Sequence, residues 1–138
     1  MSFHMVRLPI SLTLALVATA SSIVAAAQDT GKKPYIFDMY DQFVISNAAA
    51  KACSPPDTQS KARHDANFAT VTTHVRRILM SDHYKKSPAE IDKLLAGRKV
   101  LLDKEVSEKI AQIGCNNTDV QTITRRYKAQ VDWQPPRS

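Results

Sequence analysis

Apolar residues recur along the chain at helical spacing, broken by short polar stretches, and the pattern predicts four helices. After Pro34, which suits a first helical turn, Ile36, Phe37, Tyr40, Phe43, Val44 and the Ala48-Ala49-Ala50 run mark helix one, ending near Cys53. Ser54-Pro55-Pro56 stops it, because proline lacks the N–H and disfavours helical geometry in the residue before it. Asp57 or Thr58 can cap helix two, whose stripe is Ala62, Phe68, Val71, Val75, Ile78 and Leu79. Thr70, Thr72 and Thr73 raise local β-propensity, but the apolar residues do not alternate, so helix is the reading. It ends around Ser81, and Asp82 to Lys86 is a polar connector.

Ser87-Pro88-Ala89-Glu90 has the form of a capping box with proline at the first helical position. Ile91, Leu94, Leu95, Leu101, Leu102, Val106, Ile110 and Ile113 then define one broad face of helix three, and Gly114 is its stop. Gly97 lies inside and costs roughly 1 kcal/mol against alanine, which opens the option of a kink or a break. Asn117 or Thr118 caps helix four, and Thr118-Asp119-Val120-Gln121 has capping-box form. Val120, Ile123, Tyr127 and Val131 supply its apolar side, followed by Trp133 and a proline-containing tail. Asn116-Asn117-Thr118 fits a glycosylation acceptor but reads as cap chemistry here. The expected fold is all-α, a small up-down bundle of about four helices.

The segment before this pattern is of another kind. Met1 to Arg7 is short and positive, Leu8 to Val24 has no charge, and Ala25-Ala26-Ala27 offers small side chains. That is the form of a cleavable export signal, with the cut before Gln28. The competing reading is an N-terminal anchor, but the apolar run is short and diluted by Ser, Thr and Pro9. Residues 28–138 then form a single helical domain of 111 residues, periplasmic or secreted, with no further apolar stretch long enough to span a membrane.

Export changes how the two cysteines read. Cys53 ends helix one and Cys115 follows helix three, so parallel helices one and three bring both to one pole. In an oxidising compartment an even count suggests one disulfide. Neither cysteine has a His or second Cys within four residues, which argues against a metal or redox role.

Composition narrows the chemistry. His64 and His74 stand ten residues apart, about 80° from facing together on a helix, and His83 lies in the connector. No pair is spaced for a metal, no glycine-rich loop suits a nucleotide, and no context marks a nucleophile; no cofactor and no catalytic residue is expected. Asp38 with Asp41 and Glu105 with Glu108 are acidic pairs at i, i+3, the second beside Lys104 and Lys109 and read as solvent-facing. The formal charge is +6, or +5 without Arg7, with eleven Lys and Arg against seven Asp and Glu in residues 83–138. In an exported protein this favours an acidic protein partner or an anionic envelope surface over nucleic acid, and the bland reading is solubility. Arg125, Arg126, Tyr127, Lys128 and Trp133 are of the types that dominate binding hot spots, and form the candidate partner-binding cluster. Its alternative is that Tyr127 and Trp133 pack back on the bundle.

Three function classes follow. The first is a non-catalytic exported helical protein that binds or supports another envelope protein, as an accessory subunit of a larger assembly, with a homo-oligomer also open. Second, in plan the chain is similar to HdeA-type acid-stress chaperones, which are small, exported and helical with two disulfide-joined cysteines; the likeness matches no motif. It implies a pH trigger, for which Asp38 and Asp41 among the aromatics of helix one are natural candidates. Third, Ile91-Asp92 through Leu94, Leu95 and Arg98 resembles the opening of helical chorismate mutases, some of them exported. That likeness implies a small helical enzyme, but the family's downstream acidic and basic active-site pattern is missing.

Overall fold

The computed structural model describes residues 33–136; the expected export signal and its cleavage point lie outside the described residues. Four helices follow in order: α1 Tyr35–Cys53, α2 Thr58–Met80, α3 Pro88–Ile113 and α4 Thr118–Asp132. They alternate in direction, as the cross-contacts show. Phe43 of α1 meets His64 and Phe68 of α2 and Trp133 of α4, while Tyr40 and Asp41 reach Leu95 and Arg98 of α3. The result is the expected up-down bundle, with α1 touching all three partners.

That central place explains the composition of α1. Tyr40, Phe43, Val44, Ser46, Ala49 and Ala50 are all buried, around more of the helix than one stripe covers. Ala49 and Ala50, with no exposed surface, let neighbouring helices come close. Val71, Val75 and Leu79 of α2 and Ile91, Leu95 and Leu102 of α3 complete the main core, and Val120 and Tyr127 bury the face of α4. The threonines of α2 are accommodated within the helix. Thr70, Thr72 and Thr73 each donate a hydroxyl hydrogen bond to the carbonyl four residues back.

The caps follow the sequence in three cases of four. Asp57 accepts from the Ser60 N–H, the Ser87–Glu90 box is closed in both directions, and Asn117 accepts from the Asp119 N–H. Two sequence expectations at the caps are corrected. Pro34 sits one residue before α1 as its N-cap, with no side-chain bond to give. Because Asn117 holds the cap of α4, Thr118 is already helical and the Thr118–Gln121 box does not form.

Helix α3 departs most from expectation. It runs unbroken through Gly97. Its apolar residues do not share one covered face: Ile91, Leu95 and Leu102 are buried, but Leu94, Leu101 and Ile113 are exposed. Core contact takes only part of the helix circumference, and the wide stripe overhangs it.

Cys53 and Cys115 are bonded, with Cα atoms 5.5 Å apart. The bond ties the end of α1 to the residue after the cap of α3, at the pole expected. No helix among the described residues is long and apolar enough to cross a membrane.

Candidate docking site

The five candidate residues of α4 and its end do not form one patch. Successive helical residues point about 100° apart, so a run of four is distributed around the axis. Arg125 is exposed, beside the disulfide, and donates to Thr122 Oγ1 at 2.9 Å. Arg126 is half-buried and turned toward α1. Tyr127 is 3% exposed and stacks on His64, ring centroids 4.0 Å apart. Lys128 is exposed on the opposite side, over a cleft between α4 and the start of α2. Trp133 is half-buried and meets Phe43 edge to face. Tyr127 is therefore withdrawn from the surface, and the aromatic half of the cluster has turned inward onto the bundle.

A buried polar network holds α4 in this rotation. Gln130 Oε1 accepts hydrogen bonds from Ser46 Oγ of α1 and, at 2.9 Å, from His64 Nε2 of α2. With that oxygen accepting, the arrangement corresponds to the His64 tautomer protonated on Nε2. Asn67 Nδ2 donates to the carbonyls of Gln130 at 2.7 Å and Trp133 at 2.9 Å, which satisfies the C-terminal end of α4 from a neighbouring helix. Burial pushes the His64 imidazole below its ordinary value, and the Gln130 bond opposes this without cancelling it. The Tyr127 hydroxyl is the one buried side-chain polar atom without a partner among the described residues. Burial raises its pKa, and the Asp65 and Asp57 charges raise it further.

What remains outward is a shallow groove of about 180 Å³ between the first half of α1 and the last turns of α4. Tyr35, Met39 and Gln42 form one wall, and Arg126, Ala129 and Trp133 the other. Tyr35 is 70% exposed at its mouth. No acidic side chain lies within ion-pair distance of Arg125, Arg126 or Lys128 among the described residues, whereas Lys33, Arg98 and Arg76 all have carboxylate partners. The groove thus sets an apolar, aromatic recess beside an Arg126 with no ion-pair partner among the described residues, while Lys128 shares its cleft with Asp57 and Asp132. Sequence reading placed Arg126 and Trp133 here and missed Tyr35 and Met39. Their i, i+4 spacing, off the main stripe of α1, was the available signal.

On the other side of α1, Asp41 is clamped by Arg98 of α3, which donates through Nε at 3.0 Å and Nη2 at 2.7 Å, and by Lys33 at 3.4 Å. Burial pushes the Asp41 carboxyl up, but the Arg98 hydrogen bonds and charge, then Lys33, outweigh it and hold it below its ordinary value. Asp38 is exposed and pairs with Lys33 at 2.8 Å. The clamp rims an apolar cleft of about 240 Å³ between Phe37, Tyr40, Val75, Leu79, Leu94 and Leu95.

Of the histidines, His64 is committed to the network while His74 and His83 are exposed and far along the chain from it. Among the described residues no group of three or more His, Cys, Asp or Glu side chains is placed to hold a metal ion. Comparison with known families, with curated proteins and with solved structures finds no match.

Proposed function

We propose that this protein is a non-catalytic, exported helical module that docks on another envelope protein, as an accessory subunit of a larger assembly, through the α1/α4 groove. The observation that carries the reading is the pairing of an aromatic-lined recess (Tyr35, Met39, Trp133) with Arg126, which has no carboxylate within ion-pair distance among the described residues. Arg and aromatic side chains at a recess are the usual anchors of protein interfaces. The partner segment that fits has one apolar side chain for the recess and acidic residues beside it. Export is supported by the signal-like pattern of residues 1–27 and by the Cys53–Cys115 bond, which suits an oxidising compartment.

The test is recovery of the endogenous, tagged protein from gently solubilised envelopes, in parallel with Arg126→Glu and Tyr35→Ala. Both residues lie outside the core, so the fold is retained, and each change is expected to weaken one stoichiometric partner by about tenfold or more. Unchanged partner recovery in both variants removes the groove from the account.

The acid-chaperone reading keeps one favourable observation. His64 and Asp41 both have pKa values below their ordinary ones, so both contacts weaken as pH falls. Suppression of client aggregation near pH 2–3, with apolar surface exposed, is its expected signature; its absence leaves the accessory reading alone.

A further inference from the structure

Helix α3 is apolar on two sides, and the bundle covers one. Ile91, Leu95 and Leu102 face the core, while Leu94 and Leu101 stand 47% and 46% exposed beside that stripe, Leu94 at the lip of the α1/α3 cleft, and Val100 is 68% exposed on the far side. The outward positions Glu90, Leu94, Gly97, Leu101, Lys104 and Glu108 follow one another at alternating steps of four and three, which is the seam of a helix that packs against another helix. All six are exposed.

At the middle of this seam stands Gly97. Among the described residues a side chain built there meets nothing within 4 Å, and its backbone is ordinary helix, so neither space nor geometry within the described bundle requires glycine. The residue forfeits helix propensity for no internal return. A glycine flanked by two exposed leucines makes sense where a second helix approaches closely enough that a side chain would hold it off.

The charges around the glycine select the occupant. A two-fold axis beside Gly97, with the second helix antiparallel, sets Glu90 opposite Lys104 of the second copy and Leu94 opposite Leu101 or Val100 of the second copy. The same operation sets Lys86 opposite Glu108. Each contact occurs twice, as an isologous interface requires. Parallel pairing in the same register places Glu90 on Glu90 and Lys104 on Lys104, which repel. Glu90 bonds the Ser87 N–H through one carboxylate oxygen in the capping box, and the other is free to accept; Lys104 already leans on Glu108 at 2.6 Å, within reach of both. From these observations we propose that α3 is a self-association surface on which a second copy of the chain docks antiparallel, centred on Gly97. This does not depend on the α1/α4 groove, which lies on other elements.

The test is sedimentation equilibrium of the purified, disulfide-bonded protein over a wide concentration range. A reversible dimer is expected. Gly97→Leu and Leu101→Glu should each raise its dissociation constant by about tenfold or more. Gly97→Ala, which cannot disturb the monomer, should raise the monomer's melting temperature while weakening the dimer. Orientation is read from the single reversals: in the antiparallel pair Lys104→Glu and Glu90→Lys chains should each be poorer homodimers than the wild type, whereas in a parallel pair neither change adds a repulsion; mixed, the two chains should associate, since each acidic seam then meets a basic one. A monomer at every concentration overturns the proposal. So does a dimer indifferent to both Gly97→Leu and Leu101→Glu, and so does failure of the two charge-reversed chains to associate when mixed.

Discussion

Gln130 is the residue on which three helices meet. One amide oxygen takes the hydrogen bonds of Ser46 and His64, and its backbone carbonyl takes that of Asn67. Gln130→Leu leaves His64 Nε2 buried and unpaired, while the Ser46 hydroxyl keeps the Phe43 carbonyl at 3.2 Å, and should cost about 1–3 kcal/mol by denaturant titration. Tyr127→Phe is the contrasting case. Its hydroxyl is buried without a partner, so its removal should leave stability unchanged or raise it by up to about 1 kcal/mol. A loss above about 1 kcal/mol would show that the hydroxyl is bonded in solution. The pH sign for His64 follows from its lowered pKa. The unfolded imidazole takes a proton near its ordinary 6.5 and the folded one only at lower pH. The stability from keeping it neutral is therefore complete above about 6.5 and is lost as pH falls below that value. Stability measured from pH 8 to 5 should decline, and His64→Gln should flatten the decline. The burial of His64 was not legible in the sequence, because its spacing from His74 says only that the two do not share a face. Burial came from Phe43 and Tyr127, which are contributed by other helices and invisible to local periodicity.

Element boundaries were legible because local chemistry sets them. The proline pair after Cys53, the Ser87–Glu90 box and Gly114 at φ +79° all act within a few residues of themselves. Ser87→Ala should accordingly cost about 1 kcal/mol, measured on the isolated thermal transition. Helix rotation was less legible. Periodicity fixes the width of an apolar stripe, not which part of it a neighbour covers, and so Leu94 and Leu101 of α3 were read as core. For α4 the run Arg125 to Lys128 looked like a cluster along the chain, but helical geometry sends its members to different neighbours. Arg126 and Trp133 line the α1/α4 groove, whereas Tyr127 and Lys128 line the cleft between α4 and the start of α2. The Asp41–Arg98 clamp joins α1 to α3, and its lowered carboxyl pKa gives stability that is complete above the ordinary Asp value of 3.8 and lost as pH falls through the folded one. Asp41→Asn should cost about 1 kcal/mol or less at neutral pH, since the guanidinium is partly in water, and should blunt acid unfolding below about pH 4.

For the whole molecule, the disulfide connects residues 62 apart in sequence and closes α1 onto the end of α3. Reduction should lower stability by about 4 kcal/mol in the chain-entropy picture, read as a fall in melting temperature that Cys53→Ala with Cys115→Ala reproduces. The two surfaces proposed for association stand on different elements: the α1/α4 groove with Arg126, and the outward seam of α3. That separation lets a small domain engage another protein while associating with itself, without one surface blocking the other.

The most direct measurement is native mass and composition of the tagged protein released gently from envelopes, for the wild type and for Arg126→Glu. A high-mass species with one stoichiometric partner bearing an acidic segment is expected, lost in the variant while its melting temperature is unchanged. Recovery of wild type and variant alike as the chain alone, or with the same partner in the same amount, would contradict docking through the α1/α4 groove.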